Sequence, residues 1–243
     1  MKLFGNGITD TGRVKQVNQD SLFYAVSDDG KSGIFAVADG VGGLEFGEVA
    51  SSGATEHIEK WWQSFNTSDF AADSEKIADS LSELVFAVNS DIYAFNEANQ
   101  TKSATTLSLL LLYGNSYCIV HVGDSRIYAC VREEKKIYQL TKDHSRDIVV
   151  ERDGRKMIRS ALTDGIGYKQ SIKCDLSFGQ LNSSVSGFLI CSDGVYKKQN
   201  EKRIEDILFA DETNACSNLI LGAKQVGEND NITAAYVSID YML

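Results

Sequence analysis

Helix-like segments in this 243-residue chain come in pairs set between groups of strand-like runs; they do not alternate with strands one by one. Strict alternation would build a parallel doubly wound sheet. Helix pairs between hairpins point instead to an α+β layered sandwich of mostly antiparallel sheets. Residues 21–27 (SLFYAVS) and 33–39 (GIFAVAD) flank the turn Asp28-Asp29-Gly30 and read as a hairpin. Residues 104–113 (ATTLSLLLLY) and 117–123 (YCIVHVG) flank Gly114-Asn115-Ser116 and read as another. Residues 126–132 and 136–140 are expected to continue that meander, and 187–192 and 232–239 are two further apolar runs. Between the early strands and the meander, residues 47–65 read as one helix. Ile77, Leu81, Leu84, Val85, Val88, Ile92 and Phe95 recur at helical spacing in a second, capped by Asp73 or Ser74. Two late helices are expected near 201–209 and 213–226. With no repeat, low-complexity tract or linker, residues 1–243 read as one domain.

Three of the apolar runs end on an aspartate: IFAVAD at Asp39, CIVHVGD at Asp124 and GFLICSD at Asp193. A carboxylate at the rim of a core is costly unless it is paired or meets a cation. A lone aspartate there is usually a cap or a turn; three in one chain weaken that reading. Glycine follows Asp39 and Asp193, and without a Cβ the backbone can turn sharply and offer its own carbonyl to an ion. Oxygen-only donors suit magnesium or manganese, not zinc or copper. The Asp-Gly dipeptide is weak evidence by itself, since it also occurs at Asp29, Asp153 and Asp164. Asp29 fits a hairpin turn and Asp153 a loop, so position after a strand singles out Asp39 and Asp193. Asp230 precedes the last strand, where a cap or turn is equally compatible with the pattern. Arg13 and Lys15 lie ahead of Asp20 and read, from pattern alone, as a solvated surface pair.

The formal net charge is −10 and the sequence pI about 4.8. That balance argues against a nucleic-acid or anionic-membrane partner, which would require a basic face. An anionic substrate would need bound cations to offset the repulsion. The five cysteines are odd in number and none has CxxC spacing, which disfavours a zinc site or a disulfide framework. The start, MKLFGNGITD, turns polar too early for a signal peptide, and no run approaches the ~18 apolar residues of a membrane span. A cytoplasmic monomer is the expectation.

Taken in order, GRVKQVNQDS, VADGVGG, SATT (103–106), VGDSR, LTKDHS, ICSDGV and DNIT resemble the metal-dependent protein phosphatases of type 2C in their compact bacterial form. No one of these pieces is decisive; seven in order at suitable spacings make the resemblance strong. The resemblance implies a four-layer α-β-β-α sandwich, two central sheets with helix pairs outside, in agreement with the coarse reading above. It implies that Asp39 bridges two metal ions, Mn2+ or Mg2+, with the Gly40 carbonyl on one of them. It implies that Asp193 and Asp230 hold the other ion, that Asp20 contacts metal-bound water, and that Asp124 serves a third, weaker ion. Gln19 stands where animal members have a ligating glutamate. A hydroxide bridging the two ions would attack phosphorus in line, with no phosphoenzyme. The implied partners are a phosphoprotein substrate and a cognate serine/threonine kinase.

Four departures qualify the resemblance. The family's phosphate-binding arginine is replaced by Lys15, which binds phosphate as a point charge without a bidentate grip; Arg13 could substitute only in a different backbone register. Animal members place a histidine shortly after the Asp-Gly pair; here it is Val41. His57 reads as a surface residue on a helix, His121 as core or sheet-facing in a strand, and His144 as structural, so none is assigned to catalysis. A family aspartate that helps the third ion is Lys197 here, a cation that leaves that site weak, rearranged or absent. The flap region, about residues 145–160, is short and carries Arg146, Arg152, Arg155, Lys156 and Arg159. That suggests an altered substrate or partner surface, or a trimmed loop of no consequence. Two alternatives to a phosphoprotein phosphatase remain at this stage: a non-catalytic regulatory protein-binding module and a hydrolase of small phosphoesters.

Overall fold

In the computed structural model, which describes residues 1–41, 45–65, 74–152 and 155–241, nearly every apolar β-branched run becomes an antiparallel strand. In chain order the elements are β1 (Lys2–Asp10), β2 (Asp20–Val26), β3 (Ser32–Asp39), α1 (Gly47–Ser64), α2 (Ser74–Asn99), β4 (Leu107–Tyr113), β5 (Ser116–Val122), β6 (Arg126–Val131) and β7 (Lys136–Gln139). There follow β8 (Ser145–Arg152), β9 (Arg155–Leu162), β10 (Asp175–Gln180), β11 (Gly187–Cys191), α3 (Asp193–Tyr196), α4 (Glu201–Ala210), α5 (Ala215–Gln225) and β12 (Ile232–Asp240). Two five-stranded sheets result, in the orders β1-β12-β11-β6-β7 and β10-β5-β4-β3-β2. β8 and β9 form a separate hairpin.

Strand alternation divides the core into three apolar layers. In β3, Ile34, Ala36 and Ala38 point one way and pack with Ile58 of α1 and Ile77, Leu81 and Val88 of α2. Phe35 and Val37 point the other way, toward Phe188, Ile190 and Val237 of the facing sheet. On the far side, Leu189, Cys191 and Tyr236 meet Ile204, Leu208 and Leu219 of α4 and α5. The order helix, sheet, sheet, helix is the four-layer arrangement. It explains why β3 and β4 read as continuous apolar runs: both of their faces are covered.

One expectation needs correction. Residues 126–132 and 136–140 do not continue the β4–β5 meander. The chain leaves one sheet after Val122 and enters the other at Arg126, so β6 pairs with β11. Gly123, at φ +107°, makes this turn; a Cβ there would lie 2.5 Å from the Thr106 side chain. The crossing leaves Asp124 and Ser125 at the seam between the sheets. β1 and β10 were not foreseen. The glycines of β1 break its apolar alternation, yet Gly5 is where the Phe35 ring packs, 2.6 Å from any added Cβ. β10 is an edge strand, mostly exposed, in which only Leu176 packs against the core, so it carries no apolar alternation. The flap region is the β8–β9 hairpin, with Ser145 opposite Leu162. Asp73, Asp153, and Gly42 and Gly43 of the VADGVGG run lie outside the described residues, as do the side chains of Arg152, Arg155 and Arg159.

Candidate active site

Five aspartates from five separate segments gather at one end of the paired sheets. Asp20 opens β2 and Asp39 closes β3, and the two are direct cross-strand partners. Asp124 sits in the sheet-crossing turn, Asp193 starts the single-turn helix α3 directly after β11, and Asp230 precedes β12. The register places them together, because β3 and β11 end at the same rim while β2, β6 and β12 begin there.

Buried hydroxyls and amides hold these acids in place. Ser192 and Thr233 both donate to the Asp20 carboxylate, at 2.8 and 2.7 Å. The Asp39 amide donates to Thr106 Oγ1 at 3.0 Å, and the Thr106 amide donates to the Asp39 carbonyl at 2.9 Å. Thr106 Oγ1 also meets Ser125 Oγ at 2.7 Å, tying the Asp39 strand end to the Asp124 turn. Asn231 clamps the loop between β1 and β2: its amide donates to the carbonyls of Thr11 and Val17, and its Oδ1 accepts from the Gln19 N–H. Glu228, 5% exposed, accepts the backbone N–H groups of Asn229 and Asp230 and so fixes the turn that bears Asp230. Gly40 is confined by backbone; a Cβ would lie 2.5 Å from the Gly47 carbonyl and 2.6 Å from that of Gln19.

The electrostatics follow from this crowding. Burial, reinforced by the charges of Asp20, Asp193, Asp124 and Asp230, holds the Asp39 carboxyl well above the usual carboxylate range. Burial raises Asp193 to about 7 although the Lys197 ammonium pulls the other way, and raises Asp20 to about 6 against its hydrogen bonds from Thr233 and Ser192. Asp124 is raised by burial as well, opposed by Lys197. Acids driven up by burial and one another are a site that a positive charge would relieve, and every side-chain donor is a hard oxygen. The residues therefore fit divalent Mg2+ or Mn2+ by chemistry. Among the described residues, however, no three acidic, histidine or cysteine side chains converge as a ready ligand set. Two of the acids are instead engaged by ammonium groups: Lys15 lies 2.8 Å from Asp230, and Lys197 lies on Asp193. Burial works against the charge on each lysine, but the acids outweigh it and both pKa values rise.

The residues singled out in the sequence thus divide. Asp20, Asp39, Gly40, Asp124, Asp193, Asp230 and Lys15 come together. Arg13 turns outward and donates to the Lys224 carbonyl at 3.4 Å. The histidines are structural: His57 bridges α1 to Asp91 of α2, His121 bonds Ser108 and the Lys142 carbonyl, and His144 bonds Asp175. The supporting roles of Ser125, Ser192, Glu228 and Thr233 were not foreseen. Their sequence signal is adjacency to the aspartate-bearing turns, which spacing alone does not distinguish from ordinary polar loop residues.

The chain is similar to known proteins in both sequence and fold. The family model described as protein phosphatase 2C matches residues 10–219. The serine/threonine phosphatase stp of Listeria innocua is 29% identical, over 96% of this chain and 95% of its own length. Protein phosphatase PhpP of Streptococcus pneumoniae is also 29% identical, over 96% of both chains. Among solved structures, the serine/threonine phosphatase Stp1 of Staphylococcus aureus superposes with a TM-score of 0.82 at 23% identity, covering 99% of this chain and 96% of that one.

Proposed function

Because the chain belongs to the protein phosphatase 2C family, we propose that it is a metal-dependent phosphatase acting on phosphoserine and phosphothreonine in proteins. One observation carries the reading: five aspartates from separate segments meet at the sheet rim, with burial holding four of them above the usual carboxylate range. Asp39 and the Gly40 carbonyl would share the central ions, Asp193 and Asp230 would complete the pair, and Asp20 would act from behind them. Asp124 would serve a third ion. When bound, divalent ions lower the pKa of water and neutralise a phosphate dianion, which permits attack on phosphorus at neutral pH.

The protein's own contribution is orientation. Thr106 fixes the Asp39 backbone and Glu228 the Asp230 backbone, so these carboxylates are aimed before substrate arrives. Lys15, next to Asp230 and within the field of Asp39 and Asp193, is suited to meet the anionic phosphate as a single charge. No cysteine or histidine nucleophile is required, and none of the histidines is free for the task. The reading extends to a partner serine/threonine kinase whose work this enzyme reverses. It also extends to a cytoplasmic monomer with no nucleic-acid or membrane partner; among the described residues no helix is long and apolar enough to cross a membrane.

The specific observation favouring a regulatory binding module is the engagement of Asp230 and Asp193 by lysines. Against it stands the full aspartate set, which a binding module does not need. Turnover of a phosphothreonine peptide with Mn2+, its loss on chelation, and weaker turnover of small phosphoesters support the proposal. Metal-independent turnover, or none, rejects it.

A further inference from the structure

Asp193 Oδ2 is the carboxylate oxygen that Lys197 occupies. The two residues lie one helical turn apart, and the Lys197 amide donates to the Asp193 carbonyl at 2.9 Å, so the ammonium is delivered by the same short helix that presents the acid. The charges of Asp124 and Asp39 act on the same ammonium. An ammonium and a divalent ion drawn to one carboxylate oxygen repel each other and compete for it. The absence of any converged three-ligand set among the described residues is consistent with this occupancy.

We propose that Lys197 is an intramolecular competitor for the divalent ion, holding Asp193 in the metal-free protein and swinging away when the ion binds. The inference rests on the metal-dependent reading above. The side chain is 44% exposed, so it has a solvent-facing side toward which it can move. A cavity of about 400 Å³ opens beside it, lined by Asp124, Arg126, Asp143, Tyr196 and Glu201 as well as Lys197 itself. Asp143 is already engaged by Arg126, at 2.7 Å, while Glu201 adds a further acid at the cavity wall. The displaced ammonium therefore has both room and negative charge to move into. Lys197 thus sets how much free ion the centre needs. Lys15 is not its equivalent, because its ammonium is expected to meet substrate.

The test is calorimetric titration of the full chain with MnCl2, using wild type, Lys197→Gln, Lys197→Met and, as a control for general charge, Lys202→Gln. Lys202 pairs with Asp206 on the exposed side of α4. Both Lys197 variants are expected to bind Mn2+ about five- to tenfold more tightly, with Lys202→Gln unchanged. In parallel, amine acylation of wild type, read by peptide mass spectrometry, should label Lys197 several-fold more when Mn2+ is saturating. Affinities of both Lys197 variants within about twofold of wild type, or Lys197 labelling that does not rise with Mn2+, overturn the competition alone. No saturable Mn2+ binding in any of the proteins overturns the metal reading and the competition together.

Discussion

The Lys15 ammonium lies 2.8 Å from the Asp230 carboxylate, joining the loop between β1 and β2 to the turn before β12. The contact carries a single positive charge into a cluster of acids where substrate phosphate would be otherwise repelled. Lys15→Ala should lower kcat/KM for a phosphopeptide by about 10- to 100-fold, whereas Lys15→Arg should stay near wild type or exceed it, because arginine restores a bidentate grip. Steady-state kinetics at saturating Mn2+ decide this. Unchanged kcat/KM in Lys15→Ala removes Lys15 from substrate binding.

Thr106 supports Asp39 from a fully buried position. Thr106→Val keeps the shape but leaves the Asp39 N–H and the Ser125 hydroxyl without this partner. Urea unfolding should show a loss of about 1–3 kcal/mol, the cost of an unsatisfied buried donor. Weaker Mn2+ binding should accompany it. A variant as stable as wild type would mean that the threonine is packing and not a support.

Two glycines give a matched pair. Alanine at Gly40 must push against the carbonyls of Gly47 and Gln19, while alanine at Gly53 on α1 meets nothing within 4 Å. Gly40→Ala should cost about 1–3 kcal/mol and most of the Mn2+-dependent turnover. Gly53→Ala should stabilise by about 0.5–1 kcal/mol with turnover kept, since it removes a flexible residue from a helix interior. Thermal unfolding and an aryl-phosphate assay test both.

His121 gives a pH signature away from the acids. Burial lowers its pKa to about 4 from the ordinary 6.5, with the neighbouring His144 acting in the same direction. The unfolded chain therefore takes up a proton near pH 6.5 that the folded protein refuses until about pH 4. This contribution is fully present above pH 6.5 and is lost as pH falls through that window, with a scale on the order of 3 kcal/mol. Urea unfolding at several pH values should show His121→Gln losing less stability than wild type between pH 6.5 and 4.5. Parallel curves would contradict the assignment.

The aspartates were legible because each closes or precedes an apolar run, so strand register alone carries them to a common rim. The four layers were legible because helix pairs interrupt strand groups. The change of sheet at Gly123 was not legible: β5 and β6 are joined by a link as short as a hairpin's, and only the packing of Ile127 and Ala129 against Phe35 and Phe188 distinguishes a crossing from a meander. The ion pairs of Lys15 and Lys197 were half legible. Sequence marked both positions as departures from the family pattern, but pairing with Asp230 and Asp193 depends on where two side chains come to rest. Glu228 was not foreseen at all, since a buried acid that accepts two backbone amides looks like any acid in a polar turn.

The central claim is that these aspartates gather to hold catalytic divalent ions, and Asp39→Asn tests it most directly. Hydrolysis of an aryl phosphate is measured for wild type and variant with Mn2+, then with chelator, alongside thermal unfolding of the metal-free proteins. Wild type should turn over only with Mn2+, and Asp39→Asn should be slower by about 100-fold or more. The variant should nonetheless be at least as stable as wild type without metal, because it removes a crowded buried charge. Wild-type turnover that survives chelation, or an Asp39→Asn enzyme that keeps its Mn2+-dependent rate, would contradict the account.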